Sequence, residues 1–547
     1  MDNQRLILFV VFSFSLLLLW EAWQAKDQPP PQEASAPARQ AATGVPAATQ
    51  GTQAVQQASQ QAPQSAGMSA GSRAIVETDV IRVEIDANGG DLRKLELTGY
   101  HEVDDLKKTL VLLQDKADRP YVVQSGLLWG LPTHKDVFQL APGTYKLSGE
   151  SLSIPLTWTN PQTGVSVEKT YVFHRGSYQI GVTEKITNAG AQAVQLERYG
   201  QLVRHGQAPA GESKFMYTFT GPAVYSEAAK FQKIKFEDIA DGDAEFQKSA
   251  KDGWVGMLQH HFVAAWLPKA GSDRIYYADK LGDDLYSTGY KQPYGSLAAG
   301  QSITLNSSLY IGPQIQKNLE AAAPGLDLTR DYGWLTPLAA PMFWVLEKIH
   351  AFVGNWGWAI VIFTVLLKLA LFPLSASGYK GMAQMRALGP KLQKMKEMYG
   401  DDRQKLHQAM ADMYKKEKVN PLGGCMPILM QIPIFIALYY VLIAAVEMRG
   451  APWMGWLTDL SAPDPFYVLP VLMGITSIIQ VKLNPTPPDP IQAKVMMAMP
   501  IVFSVMFIFF ASGLVLYWLV NNILSIAQQW YMNKKFDSGS AATHAKK

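Results

Sequence analysis

The sequence predicts a multi-pass α-helical membrane protein of six spans, with a large all-β sandwich outside the cytoplasm and a helical hairpin inside it. Three observations predict this. Nearly all long apolar runs fall in roughly the last 200 of 547 residues. From about 75 to 325, apolar and polar residues alternate with period two between Gly, Asn, Asp and Pro. Lys and Arg crowd alternate loops of the apolar half, as the positive-inside rule requires.

The chain balances 49 basic against 46 acidic residues for a net charge of +3, which argues against a dedicated nucleic-acid binder, and no DNA partner is expected. Its start, "LILFVVFSFSLLLLWEAW" at 6–23, is long enough for a marginal span. Trp20 and Trp23 stand where the small residues of a signal-peptidase site would be, so 1–25 is read as an uncleaved anchor. Residues 26–72 are Gln, Ala, Pro, Ser and Gly with few large apolar side chains, a flexible tether.

Residues 73–330 form the expected β-domain, with strands at "VIRVEID", "YKLSG", "LSIPLTWTN", "VSVEKTYVFH", "YQIGVTEKITN" and "ITLNSSLYIG". "PQTG" and "NAGAQ" supply connections. Residues 331–353 read as an amphipathic helix on the membrane surface. Spans are expected near 354–374, 423–446, 466–483, 494–511 and 513–532, the last four within 421–535, followed by a tail at 536–547. The final two spans, separated by "ASG", are expected to form a tight hairpin. Ten Lys/Arg in 375–420, against Arg449 alone in 447–465, put the former segment and both termini in the cytoplasm.

No Walker A, G-x-G-x-x-G after a strand, HExxH or G-x-S-x-G occurs, so neither enzyme chemistry nor a cofactor is expected. His260 and His261 are adjacent, and neighbours on a strand point to opposite faces, which argues against a shared metal site. Cys425 has no metal-ligand spacing and reads as a packed apolar residue.

Polar residues inside the apolar runs carry more information. Lys368 sits in "FTVLLKLALFP", where a central charge costs roughly 2.5–3.5 kcal/mol on the insertion scale. Thr364 lies four residues earlier on the same face. Gln431, Asn521 and Asn522 interrupt other spans, with Gln480, Thr476 and Ser504 as weaker polar points. Intramembrane ionisable residues mark polar cavities and paths. The alternative is snorkelling, because Pro373 is only five residues away.

In the hairpin 375–420, Met382, Met385, Leu388, Leu392, Met395 and Tyr399 recur at helical spacing, continued by Leu406, Met410 and Met413. Gly400 and Asp401 or Asp402 supply the turn. The stripe reads either as its own packing seam or as an adaptable docking face flanked by Arg386, Lys391 and Arg403. Those cations suit anionic lipid or ribosomal RNA.

"DYGWL" (331–335), "IHAFVGNWGWAIVIFTVLLKLALFPL" (349–374), "KVNPLGGCMPILMQIPIFIALYY" (418–440) and "SGLVLYWLVNNILSIAQQ" (512–529) together resemble the YidC/Oxa/Alb membrane-protein insertases in their Gram-negative form. The resemblance implies a periplasmic β-supersandwich and a five-span insertase core in the bacterial inner membrane. It also implies a nucleotide-independent insertase and chaperone whose hydrophilic groove opens to cytoplasm and lipid. Lys368 matches the groove's positive residue and Thr364 its neighbour, while Gln431 and Asn521 match groove-lining positions. The substrate-contacting tyrosine aligns with Trp518, beside Tyr517. The groove cation is usually arginine, and lysine keeps the charge without the planar fork. The implied partners are nascent membrane proteins, the ribosome, the Sec translocon, the signal recognition particle receptor and anionic lipids. A transporter or channel, and a sugar-binding or envelope-assembly role for the β-domain, are the rival readings.

Overall fold

A computed structural model describes residues 71–544 except 103–104, 106, 210–217, 331, 333–334, 400–401, 418–425 and 485–489. The expected anchor at 1–25, the linker up to residue 70, Gly400, Asp401, Cys425 and residues 545–547 lie outside the described residues. The described chain divides into two compact units, one ending at Arg330 and one following it.

The first unit is two packed β-sheets. The larger runs edge to edge through Ser249–Ala250, Arg274–Gly282, Leu285–Leu297, Val194–His205, Tyr121–Leu127, Leu92–His101, Ile81–Asp86, Arg73–Glu77 and Gly143–Lys146. Thr109–Leu113 pairs off this path with Leu92–His101. The smaller runs through Lys230–Lys233, Gly221–Ser226, Trp254–Leu258, Phe262–Pro268, Ser302–Pro313, Gln179–Asn188, Val165–His174 and Ser151–Asn160. Named strands pair antiparallel except Arg73–Glu77 with Gly143–Lys146.

Where one face meets solvent, alternation and structure agree: Val165, Val167, Lys169, Tyr171 and Phe173 point inward from one strand. Trp254–Leu258 and Phe262–Pro268 are buried at every position, so period two vanishes from them. His260 and His261 sit in the bend joining those strands, with rings stacked 3.8 Å apart. The expected opposite orientation fails there, because strand alternation does not extend into a bend.

The two sheets are joined by polar as well as apolar contacts. Trp266 Nε1 donates to the Gln201 carbonyl at 3.2 Å, and its ring leaves no space for a Cβ at Gly200. Lys169 Nζ donates to the carbonyls of Gly89 (2.8 Å) and Ser125 (3.2 Å) and to Ser125 Oγ (3.0 Å). Glu184 and Arg198 form a buried ion pair at 2.8 Å.

This interior makes acid stability measurable. His134 is buried, with Nδ1 2.7 Å from Tyr199 Oη, and is pushed from 6.5 down to about 3 by desolvation, then by Lys135, Arg93 and Lys169. A depressed folded value means its contribution is complete above pH 6.5 and is lost as pH falls towards about 3. Asp91 is pushed up to about 7 by desolvation, so its contribution has the opposite sign and is lost as pH rises from about 4 to 7. His134→Gln removes only the first effect. Wild type is expected to lose stability relative to His134→Gln between pH 6 and 4, by up to about 1.4 kcal/mol per pH unit. Thermal unfolding of the two proteins across that range checks this. A pH-independent difference would mean that His134 does not titrate differently in the two states.

The second unit is helical. Its elements are α1 (Thr336–Val353), α2 (Trp356–Ala370), α3 (Phe372–Tyr399), α4 (Arg403–Lys416), α5 (Met426–Ala444), α6 (Val468–Leu483), α7 (Pro490–Met506) and α8 (Ser512–His544). Among the described residues no single helix is long and apolar enough to cross a membrane; Trp356–Ala370 with Phe372–Met385, bent by 65°, passes as a pair. Over the expected span 354–374 the first helix ends at Ala370, with Leu371 as its cap, and α3 continues after the bend. Pro373 falls in the first turn of α3, where its missing N–H is harmless, whereas within a continuous helix it would break the bond to residue 369.

Over the last two expected spans lie α7, followed by Phe507–Phe509, and α8, whose Trp518 packs on Phe507 at 5.5 Å. Both α7 and α8 pack on α6, and they make little contact with each other among the described residues. The core of this unit joins Leu346 and Ala339 of α1, Ile360 and Phe363 of α2, Leu438 and Val441 of α5, and Leu514 to Tyr517 of α8.

Candidate functional site

The start of α2 is fixed from outside the helix. Gly354, at φ 71°, ends α1 in the left-handed region. Asn355 then caps α2 by accepting from Trp358 N at 3.0 Å, and donates to the carbonyls of Pro452 and Trp453 at 3.1 Å. Trp453 lies so close that Gly357 has no room for a Cβ. His350 stacks on Trp356 at 3.9 Å. With that end set, Trp356, Gly357, Ile360, Phe363, Thr364 and Lys368 form one buried stripe.

Lys368 lies at the foot of this stripe, 9% exposed. Its Nζ donates to Ser525 Oγ at 2.8 Å, and Ser525 Oγ donates to the Asn521 carbonyl at 2.7 Å. The return contact is Gln528 Nε2 to the Lys368 carbonyl at 3.4 Å. Tyr379 Oη of α3 reaches the Ser525 carbonyl, also at 3.4 Å. Among the described residues no carboxylate pairs with Lys368, so the ammonium is answered by a neutral hydroxyl.

Tyr517, Asn521, Ser525 and Gln528 recur at four, four and three residues along one face of α8. The stripe also meets α5, where Gln431 Nε2 donates to Tyr517 Oη at 2.6 Å. Lys368 and Gln431 thus meet the α8 face that carries Tyr517 and Asn521. Thr364 is fully buried but donates to the Ile360 carbonyl at 2.7 Å, within its own helix. Trp518 turns elsewhere, packing edge-on against Phe435 at 4.7 Å and against Phe507 at 5.5 Å. The aromatic on the polar face is therefore Tyr517, because adjacent helical residues differ by about 100° in direction.

The remaining polar positions do not join this face. Asn522 Nδ2 donates to Ser477 Oγ at 2.8 Å and Thr476 Oγ1 at 3.4 Å, and Gln529 Nε2 donates to Asn484 Oδ1 at 2.9 Å. They form a second seam, between α8 and α6. Ser504 Oγ donates to the Pro470 carbonyl at 2.7 Å.

Helices α3 and α4 pack through buried Leu388 and Leu392, with Met385, Met410, Met413 and Tyr414 around them. Asp402 caps α4 by accepting from Lys405 N at 3.1 Å, and Lys391 pairs with Glu417 at 2.6 Å. Met382 and Met395 are half-buried, Arg386 lies on α3 and Arg403 starts α4. Among the described residues here, the most exposed large apolar side chain is Met398, at 67%.

Sequence reasoning missed Ser525, Gln528 and Tyr379. The first was within reach, four residues after Asn521 on the same face. Tyr379 was not, because Pro373 marked the expected end of the span.

The sequence matches two family models, YidC periplasmic domain over residues 73–345 and 60Kd inner membrane protein over residues 348–539. It is 60% identical to a membrane protein insertase YidC of Thiobacillus denitrificans over the whole of both chains. With the membrane protein insertase YidC of Aromatoleum aromaticum it shares 52% identity over 98% of each chain. A crystal structure of an active YidC insertase with its first transmembrane domain resolved is similar at TM-score 0.41 and 17% identity, over 84% of this chain and 95% of that one. Full-length identity at this level is decisive: the chain belongs to the YidC family of membrane protein insertases.

Proposed function

We propose that this insertase moves the polar tail of a nascent membrane protein partway into the bilayer along the polar face of α8, flanked by α2 and α5. Lys368 attracts acidic residues of that tail, and burial of the substrate's apolar segment drives transfer without nucleotide. The observation that carries this reading is the Lys368 ammonium, turned inward to Ser525 and without a carboxylate partner among the described residues. A charge kept inside a bundle without a counter-ion is available to a ligand.

Depth supports the same reading. Trp358, exposed and edge-on to Trp453, suits one membrane interface. Lys368 is ten residues further on, about 15 Å along a helix, or half of a hydrocarbon core about 30 Å thick. In this reading six spans cross the inner membrane, both termini are cytoplasmic, and the β unit is periplasmic. The Sec translocon, the signal recognition particle receptor and anionic lipids are further partners.

Reconstitution tests the reading. The purified chain in liposomes, with no nucleotide, is expected to insert a short single-span substrate to a protease-protected state. Solute flux without insertion would instead favour a transporter. For the α3–α4 hairpin the proposed role is docking of the ribosome or nascent chain, supported by its exposed lysines and Met398. Deleting 385–415 is expected to reduce insertion severalfold with the other helices still folded. Unchanged ribosome crosslinking after the deletion removes the role.

A further inference from the structure

Ser525 has no assigned part in this reading. We infer that Ser525 is a positioning residue: its hydroxyl holds the Lys368 ammonium on the polar face of α8 until an acidic side chain of the substrate displaces it. The inference rests on the groove reading and deepens it.

The geometry of the hydroxyl carries the argument. Ser525 Oγ spends its one proton on the Asn521 carbonyl at 2.7 Å, which leaves a lone pair for Lys368 Nζ at 2.8 Å. The hydroxyl therefore acts towards Lys368 as an acceptor with a fixed direction. The Ser525 backbone is held in turn by Tyr379 Oη, and Gln528 of the next turn reaches back to the Lys368 carbonyl. Residue 368 is thus tied to α8 through both its side chain and its backbone. Without such an acceptor, four flexible methylenes leave the ammonium free to swing towards the interface.

A neutral acceptor also has the right strength. An ammonium has three donors, and Ser525 takes one of them among the described residues. A hydrogen bond between two ions is stronger than one with a single charged partner, so an incoming carboxylate can replace the hydroxyl. A carboxylate at 525 would instead form a permanent ion pair and quench the site. The arrangement keeps Lys368 oriented and exchangeable.

The test compares full-length wild type, Ser525→Ala and Ser525→Thr in liposomes, with two readouts. The first is the rate at which acetic anhydride acetylates Lys368, followed by peptide mass spectrometry. Ser525→Ala is expected to raise it at least threefold, and Ser525→Thr, which keeps the hydroxyl, to stay within twofold of wild type. The second is insertion of a single-span substrate with either an acidic or a neutral tail. Ser525→Ala is expected to lower the acidic-to-neutral ratio at least threefold, and Ser525→Thr to restore it. Unchanged acetylation in Ser525→Ala, or threonine behaving as alanine, overturns the positioning role. If acetylation responds as expected but Lys368→Ala inserts both substrates as wild type does, the contact stands and the groove reading falls.

Discussion

Lys368→Ala is expected to lower insertion of a single-span substrate with an acidic tail by about ten- to a hundredfold in cells lacking any other copy. The magnitude follows from what the ammonium offers. A hydrogen bond to a charged group is worth about 1.5–3 kcal/mol, and each 1.4 kcal/mol is tenfold in rate if it is felt only during transfer. Lys368→Glu is expected to fall further, because it replaces attraction by repulsion in a low-dielectric site. Lys368→Arg keeps the charge and is expected to retain most activity, although its wider fork must fit a place shaped around Ser525 Oγ. Equal activity of the alanine and glutamate variants would sink the electrostatic role. Wild-type activity in Lys368→Ala would sink the groove as the route of transfer. Protease protection of the substrate's tail reads all three.

What the sequence made legible here depended on contrast. Lys368 stood out because a charge among leucines is rare, and Gln431 and Asn521 because amides in apolar runs are expensive. Ser525 did not stand out, since a serine can satisfy itself on its own helix and passes as a small residue. Tyr517 and Trp518 are neighbours, and only the rotation of α8, fixed by packing, decides which meets Gln431. The methionine stripe left two meanings open, and Met385, Met410 and Met413 lie around the α3–α4 seam. In the β unit, half-exposed strands such as Ser151–Asn160 and Val165–His174 showed their alternation. Those buried on both faces lost it, which hid Val194–His205, Trp254–Leu258 and Phe262–Pro268. The interior charges were least legible of all. Lys169 and Glu184 occupy ordinary positions in alternating strands, and nothing local marks them as facing the opposite sheet.

Those charges set the largest expected stability effect. Glu184→Ala is expected to destabilise the β unit by about 3–5 kcal/mol, because it strands a buried guanidinium. Arg198 and Glu184 are 0% and 1% exposed and lie 2.8 Å apart, each on a different sheet. The pair is a weak source of net stability, since desolvating two ions consumes most of their attraction. Removing one partner is different: Lys169 and Arg198 would then share the interior with Asp91, whose own pairing is with Arg93. Replacing both partners, Glu184→Leu with Arg198→Met, removes the uncompensated charge and is expected to recover most of the loss. Thermal unfolding of the full-length chain, with hydrogen exchange to assign the transition to the β unit, separates these outcomes. A loss below about 1 kcal/mol in Glu184→Ala would mean that water already solvates the guanidinium between the sheets. A double variant no more stable than Glu184→Ala would mean that the pair's shape, rather than its charge, holds the two sheets in register.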